Sequence, residues 1–163
     1  MSSSDRRTFL LGLAALPLAA CGFTPAYGPA GGATKLRGRI AVQSPATRED
    51  FTFVARFESR LGRAQAPAYD LSYSLAASRE AGGITSDNAT TRYTLRGSAT
   101  FTLTDRASGT RVAGGTVRGF TSWSATGTTV AGLAAEDDAA RRLSVILADQ
   151  VITRLIAAAP ALP

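Results

Sequence analysis

An α+β fold, a two-layer sandwich with two helices packed on one face of a mostly antiparallel four-stranded sheet, is what this 163-residue sequence predicts. Two segments have apolar residues at helical spacing. Three have alternation of apolar and polar residues, with a slip in the third, and one short apolar stretch precedes the first helix. The predicted order is β-α-β-β-β-α, which places the helices together against one side of the sheet.

The elements follow in chain order. Gly22 to Thr34 is rich in Gly and Pro and has no apolar period, so residues 21–34 are expected to be a flexible tether. A short strand is expected over Leu36–Val42. Arg48 to Arg63 carries Phe53, Val54, Phe57 and Leu61 on one helical face, with Thr47 placed to cap it, Asp50 three residues on, and Gly62 to stop it. Tyr69, Leu71, Tyr73, Leu75 and Ala77 then alternate with polar residues, and Tyr69 and Tyr73 are expected in the core. After turn residues Gly82-Gly83 and Asp87-Asn88, the alternation resumes. Tyr93, Leu95, Gly97, Ala99, Phe101 and Leu103 face one way; Arg92, Thr94, Arg96, Ser98, Thr100 and Thr102 face the other. Asp105 to Thr110 reads as a hairpin loop and Arg111 to Ser124 as the returning strand, with a bulge expected at Gly114-Gly115, where the alternation slips. Phe120 and Trp123 on that strand are expected to be core or contact aromatics.

Leu133 to Ala158 contains neither Gly nor Pro, so it reads as the closing helix. Leu143, Leu147, Val151 and Leu155 form an i+4 row that Val145, Ile152 and Ile156 widen. The acids Glu136, Asp137 and Asp138 lie where the dipole of a helix starting at Leu133 favours them. The single domain is expected over residues 35–159, with 160–163 as a tail.

The N-terminus has a different logic. Arg6 and Arg7 precede an uncharged run, Phe9 to Ala20, that is too short to span a bilayer core needing about 20 helical residues. A basic start, a short apolar stretch and small residues at its end mark residues 1–20 as an export signal that is removed. Leu18-Ala19-Ala20-Cys21 resembles the bacterial lipobox, in which cleavage before Cys leaves a thiol that carries diacylglycerol and an amine that is acylated. Cys21 is the chain's single cysteine, and a thioether needs no disulfide partner. Several acyl chains at about 0.8 kcal/mol per buried CH₂ would hold it firmly at a membrane. The run from Asp5 to Leu11 resembles a twin-arginine signal and also fits an ordinary Sec signal, so the export route stays open. By resemblance to the usual bacterial lipoprotein sorting rule, in which Asp after the cysteine retains the protein at the inner membrane, Gly22 favours the outer membrane.

Composition narrows the chemistry. There is no histidine and Lys35 is the lone lysine, so neither a Ser-His-Asp site nor an ordinary metal-activated water can be assembled. No cofactor motif is visible, the acids cluster in turns and near a helix start, and catalysis is not expected. The net charge of +6 suits an anionic lipid headgroup or an acidic partner, but there is no basic tract or nucleic-acid motif, and export argues against nucleic acid as a ligand.

Four stretches together resemble the LPS-assembly lipoprotein family (LptE): Cys21-Gly22-Phe23-Thr24-Pro25-Ala26-Tyr27-Gly28, Tyr93-Thr94-Leu95-Arg96-Gly97, Gly109 to Ser124 with Ser122-Trp123-Ser124, and the helix Ala134 to Leu155. The sequence departs in having Trp123 where the family has Tyr, and in a longer Gly/Ala-rich tether. The resemblance implies an outer-membrane lipoprotein on the periplasmic side. It would sit in the lumen of a large β-barrel, help that barrel assemble, and contact lipopolysaccharide in transit. Arg92, Arg96 and Arg118, on the polar side of the predicted sheet, are the candidate contacts with barrel acids or lipid phosphates. An auxiliary lipoprotein of an ABC-type lipid transporter, at the inner membrane and with a lipid groove, is the alternative.

Overall fold

The computed structural model describes residues 25–29, 31–84, 90–125 and 127–163. The signal and Cys21 therefore lie outside the described residues. The elements are α1 (Gly32–Leu36), β1 (Ile40–Val42), α2 (Arg48–Leu61), β2 (Tyr69–Ile84), β3 (Thr90–Asp105), β4 (Arg111–Ser124), α3 (Thr129–Ala158) and a final 3₁₀ turn, Ala159–Ala161. The strands form one sheet in the order β1-β2-β3-β4, parallel between β1 and β2 and antiparallel elsewhere. The α+β class, the helices on one face and the mostly antiparallel sheet are as the sequence predicts.

The parallel pair exists because α2 carries the chain back over the sheet between β1 and β2. Thr47 and Asp50 form a reciprocal capping box at the start of α2, and Gly62 leaves the helix at φ +78°, a conformation that favours glycine. The buried face of α2 is Phe53, Phe57 and Leu61. Phe53 stacks on Tyr73 of β2 with ring centroids 4.6 Å apart, so α2 rests on α3 and reaches the sheet through this aromatic pair. The longest helix, α3, lies along β3 and β4. Its predicted row, Leu143, Leu147, Val151 and Leu155, is buried, and Ile152 with Ala148 forms a second buried row. Among the described residues it is the helix long and apolar enough to cross a membrane, yet these rows are sealed inside the domain.

Glycine decides how closely α3 approaches the sheet. Gly97 and Gly119 are cross-strand partners on the helix-facing side, and Leu143 sits in the trough between them. A Cβ on Gly97 would lie 2.7 Å from Leu143 Cδ2, and one on Gly119 would lie 3.1 Å from Ile146 Cγ2.

Several boundaries differ from the sequence reading, each for a local reason. Gly32 to Leu36, read as the end of the tether and the start of a strand, form a helix whose Ala33 and Leu36 are only 2% and 1% exposed. Gly32 permits this, because a Cβ there would meet the Ile156 carbonyl oxygen of α3 at 2.5 Å. The first strand shrinks to Ile40–Val42 accordingly. The closing helix starts at Thr129, a turn before Leu133, because Thr128 Oγ1 accepts from the Ala131 N–H and Gly132 is tolerated in the first turn. Glu136, Asp137 and Asp138 are therefore beyond the reach of the helix dipole. They pair instead with Arg79, Arg48 and Arg142 respectively. β2 runs on through Gly82-Gly83 to Ile84 rather than ending before them. The β4 irregularity falls at Val112, between the pairs Leu103–Ala113 and Thr104–Arg111, rather than at Gly114-Gly115. At the C-terminus Tyr69 donates its hydroxyl to the Pro163 carbonyl at 2.6 Å, which ties residues 160–163 to β2.

Candidate functional site

Period-two alternation sends the apolar side of β2, β3 and β4 toward the helices and, among the described residues, leaves the other side without a covering layer. Tyr69, Tyr73, Phe101, Leu103, Val117 and Trp123 are buried on the helix side. Trp123 stacks on Tyr93 at 5.3 Å, so it is a core aromatic, as expected. Phe120, three residues earlier, faces the other way and is 64% exposed.

The bare face carries all three candidate arginines, and the structure brings two of them together. Arg96 and Arg118 line one shallow depression of about 280 Å³ with Ala76, Ser78 and Ser98. Arg118 lies opposite Ser98, and Arg96 opposite Phe120, so the two guanidinium groups approach diagonally across the β3–β4 pair. Arg92 stands apart, between Gly82 on β2 and Ser124 on β4, toward the far end of the hairpin. Glu80 is the residue the sequence reading missed. Its carboxylate accepts from Arg96 Nε at 2.7 Å. The signal was present, because the alternation that begins at Tyr69 continues to Glu80 once β2 is carried past Ser78. Among the described residues, no carboxylate pairs with Arg92 or Arg118. The depression therefore offers one uncompensated guanidinium, one paired with an exposed acid, and two serine hydroxyls beside an exposed phenyl ring. Such a set can take an oxyanion by forked hydrogen bonds with an apolar group alongside.

Tyr27, six residues after Cys21 in sequence, is also fixed to the domain. The Tyr27 hydroxyl accepts from Arg60 of α2, at 2.6 Å to Nη2, and the Arg60 guanidinium lies 5.5 Å from the ring centroid. Arg60 and Arg56 both reach Asp149 of α3, Arg56 through two bonds of 2.9 Å. Asp149 raises the Arg56 pKa above its ordinary value, by hydrogen bonding first and by charge second. Tyr27 thus sits on the α2–α3 seam.

Among the described residues, no group of three His, Cys, Asp or Glu is placed to hold a metal ion. Among the described residues, the single buried polar side-chain atom without a partner is the Tyr73 hydroxyl, whose pKa is pushed up to about 12 by burial and, secondarily, by the Asp50 charge.

A four-stranded sheet closed by helices on one side is a fold this chain shares with solved bacterial lipoproteins. A candidate lipoprotein from Caulobacter crescentus superposes with a TM-score of 0.66 at 21% identity, over 83% of this chain and all of that one. Rare lipoprotein B from Shewanella oneidensis gives 0.57 at 11% identity, over 76% of this chain and 95% of its own. Lipoprotein B from Nitrosomonas europaea gives 0.58 at 11%, over 76% and 84%. At these identities the likeness is one of fold. No curated protein matches the sequence. The family is given by residues 37–155, which match the lipopolysaccharide-assembly family LptE, and the chain belongs to it.

Proposed function

We propose that this chain is an outer-membrane lipoprotein, anchored through Cys21 on the periplasmic side, that joins a large β-barrel in the lipopolysaccharide translocon. It acts there as a plug and assembly factor and contacts lipopolysaccharide on its way to the outer leaflet, with no catalytic step of its own. The family match over residues 37–155 carries this reading. The bare sheet face supports it, because lumen-facing positions of membrane barrels are polar and a hydroxyl-rich face carrying Arg96 and Arg118 can lie against them. The same two arginines suit the phosphates of a lipid headgroup.

The test has two parts. Extraction of the acylated protein in mild detergent should bring down a stable complex with a large barrel protein, identified by mass spectrometry; recovery as a lone monomer would count against the translocon. The mass of the mature chain should show diacylglycerol and an N-acyl group on Cys21, and Cys21→Ala should accumulate as uncleaved precursor. A free thiol on an uncleaved wild-type chain would remove the anchor while leaving the family assignment intact.

A further inference from the structure

β2 outruns its neighbour on the outer side. β1 covers Tyr69 to Leu71 only. Just beyond, Gln43 N–H donates to the Leu71 carbonyl at 2.8 Å. The Gln43 side-chain oxygen then accepts from Tyr73 N–H at 3.4 Å, as a last imitation of a neighbouring strand. The odd-numbered residues of β2 thus turn their backbone groups outward, and the unbroken β2–β3 register carries that alternation to Leu75, Ala77, Arg79 and Ala81. Among the described residues, no hydrogen bond reaches their outward N–H or C=O groups.

An open edge of this length invites pairing, and proteins usually blunt such edges. The opposite edge, β4, is blunted. It carries the Val112 irregularity, Arg142 of α3 donates to the Ser122 carbonyl at 3.3 Å, and Arg154 and Gln150 lean beside Gly115 and Gly119. Leu75 to Ala81 contains no proline and no bulge. Along it runs a cleft of about 570 Å³ between β2, the N-terminus of α2 and α3, walled by Leu75, Leu143 and Leu147. Tyr73, with its buried and unpartnered hydroxyl, closes one end. Glu49, Asp50, Glu136 and Asp137 line the cleft; Arg79 and Arg48 already pair with Glu136 and Asp137, and Asp50 caps α2, so among the described residues Glu49 is the rim acid that no cation pairs.

We propose that the β2 edge from Leu75 to Ala81 receives an extended segment of a partner polypeptide by strand addition. The segment carries apolar side chains toward the cleft and at least one lysine or arginine against its acidic rim. Backbone pairing would supply affinity, and the cleft would read alternate side chains. A second copy of this chain pairing edge to edge is the competing occupant, and the test below distinguishes it. The inference does not depend on the translocon reading, although a strand or loop of a barrel partner is one source of such a segment.

The test uses the full mature chain in mild detergent, labelled for amide hydrogen exchange, and a short blocked peptide with valines and one lysine at alternate positions and threonine between them, so that valine and lysine share one face. The peptide should slow exchange at Leu75, Ala77, Arg79 and Ala81 by about tenfold or more, while β4-edge amides stay unchanged. Ala77→Pro should abolish that protection without unfolding the domain, since the Ala77 N–H points off the sheet. Glu49→Lys should weaken it severalfold. The same peptide methylated on alternate backbone nitrogens should give no protection. The proposal is overturned if the edge amides stay unprotected up to the peptide's solubility limit, if Ala77→Pro or the methylated peptide protects equally, or if protection without peptide grows with protein concentration, which would mean self-pairing.

Discussion

Replacing Gly97 by alanine tests how the helix layer meets the sheet. The added Cβ would stand 2.7 Å from Leu143 Cδ2, 3.2 Å from Leu143 Cγ and 3.3 Å from the Ala76 carbonyl oxygen. The first is well inside carbon contact distance and the other two are tight, so Leu143 must shift or α3 must lift. Forcing a methyl into a packed core costs about 1–3 kcal/mol. Alanine regains about 0.5–1 kcal/mol of the entropic penalty that glycine brings to a strand interior. The net expectation is a loss of about 1–2 kcal/mol, a fall in Tm of about 5 °C for a domain of this size. Urea unfolding of the soluble domain, read by circular dichroism, measures it. The decisive comparison is the double variant. In a Leu143→Ala background, itself about 2–5 kcal/mol less stable, Gly97→Ala should cost nothing or stabilise. That gives a coupling of about 1–3 kcal/mol, at the upper end of what residues in contact show. An unchanged penalty in both backgrounds would refute the trough, because the clash would then not be with Leu143.

Three further outcomes are expected. Tyr73→Phe removes a buried hydroxyl that has no partner, so stability should be unchanged or rise by about 1 kcal/mol; a clear loss in the same urea titration would mean that the hydroxyl is satisfied. The Asp105 carboxyl, which accepts from the Ser108 side chain and N–H, is held below its ordinary pKa of about 3.9. A carboxyl depressed on folding contributes stability above its unfolded pKa and loses it as pH falls through the lower folded value. Asp105→Asn should therefore lower stability at neutral pH and flatten its decline on acidification below about pH 4, a difference absent if the two pH profiles are parallel. Arg96→Asp breaks an exposed pair with Glu80, worth about 0–1 kcal/mol, so the fold should survive while binding to lipopolysaccharide or the barrel weakens; unchanged binding would make Arg96 a solvated surface residue.

Much of this protein was legible from pattern alone. The alternation in Tyr93 to Leu103 and the i+4 row on the closing helix placed the core where it is, because each side chain's direction follows from local backbone geometry. Thr47, Asp50 and Gly62 fixed both ends of α2 for the same reason: caps are interactions among residues close in sequence. The polar side holding Arg92, Arg96 and Arg118 was equally readable, since facing is a matter of parity along one strand.

What the sequence could not decide is what lies opposite what. That Arg96 and Arg118 share a depression while Arg92 stands apart depends on strand register. So does the Glu80 partner, because register is set by packing across the sheet rather than by either strand alone. Gly32 read as part of the tether, and Gly97 and Gly119 as ordinary strand positions, yet they are close-approach points for a helix far away in sequence. The acids at 136–138 read as dipole partners and turned out to be ion-pair partners, since a cap one turn earlier moved the helix start. The unpaired stretch of β2 exists only because β1 stops after three residues and α2 turns away, a competition between elements that no local pattern records.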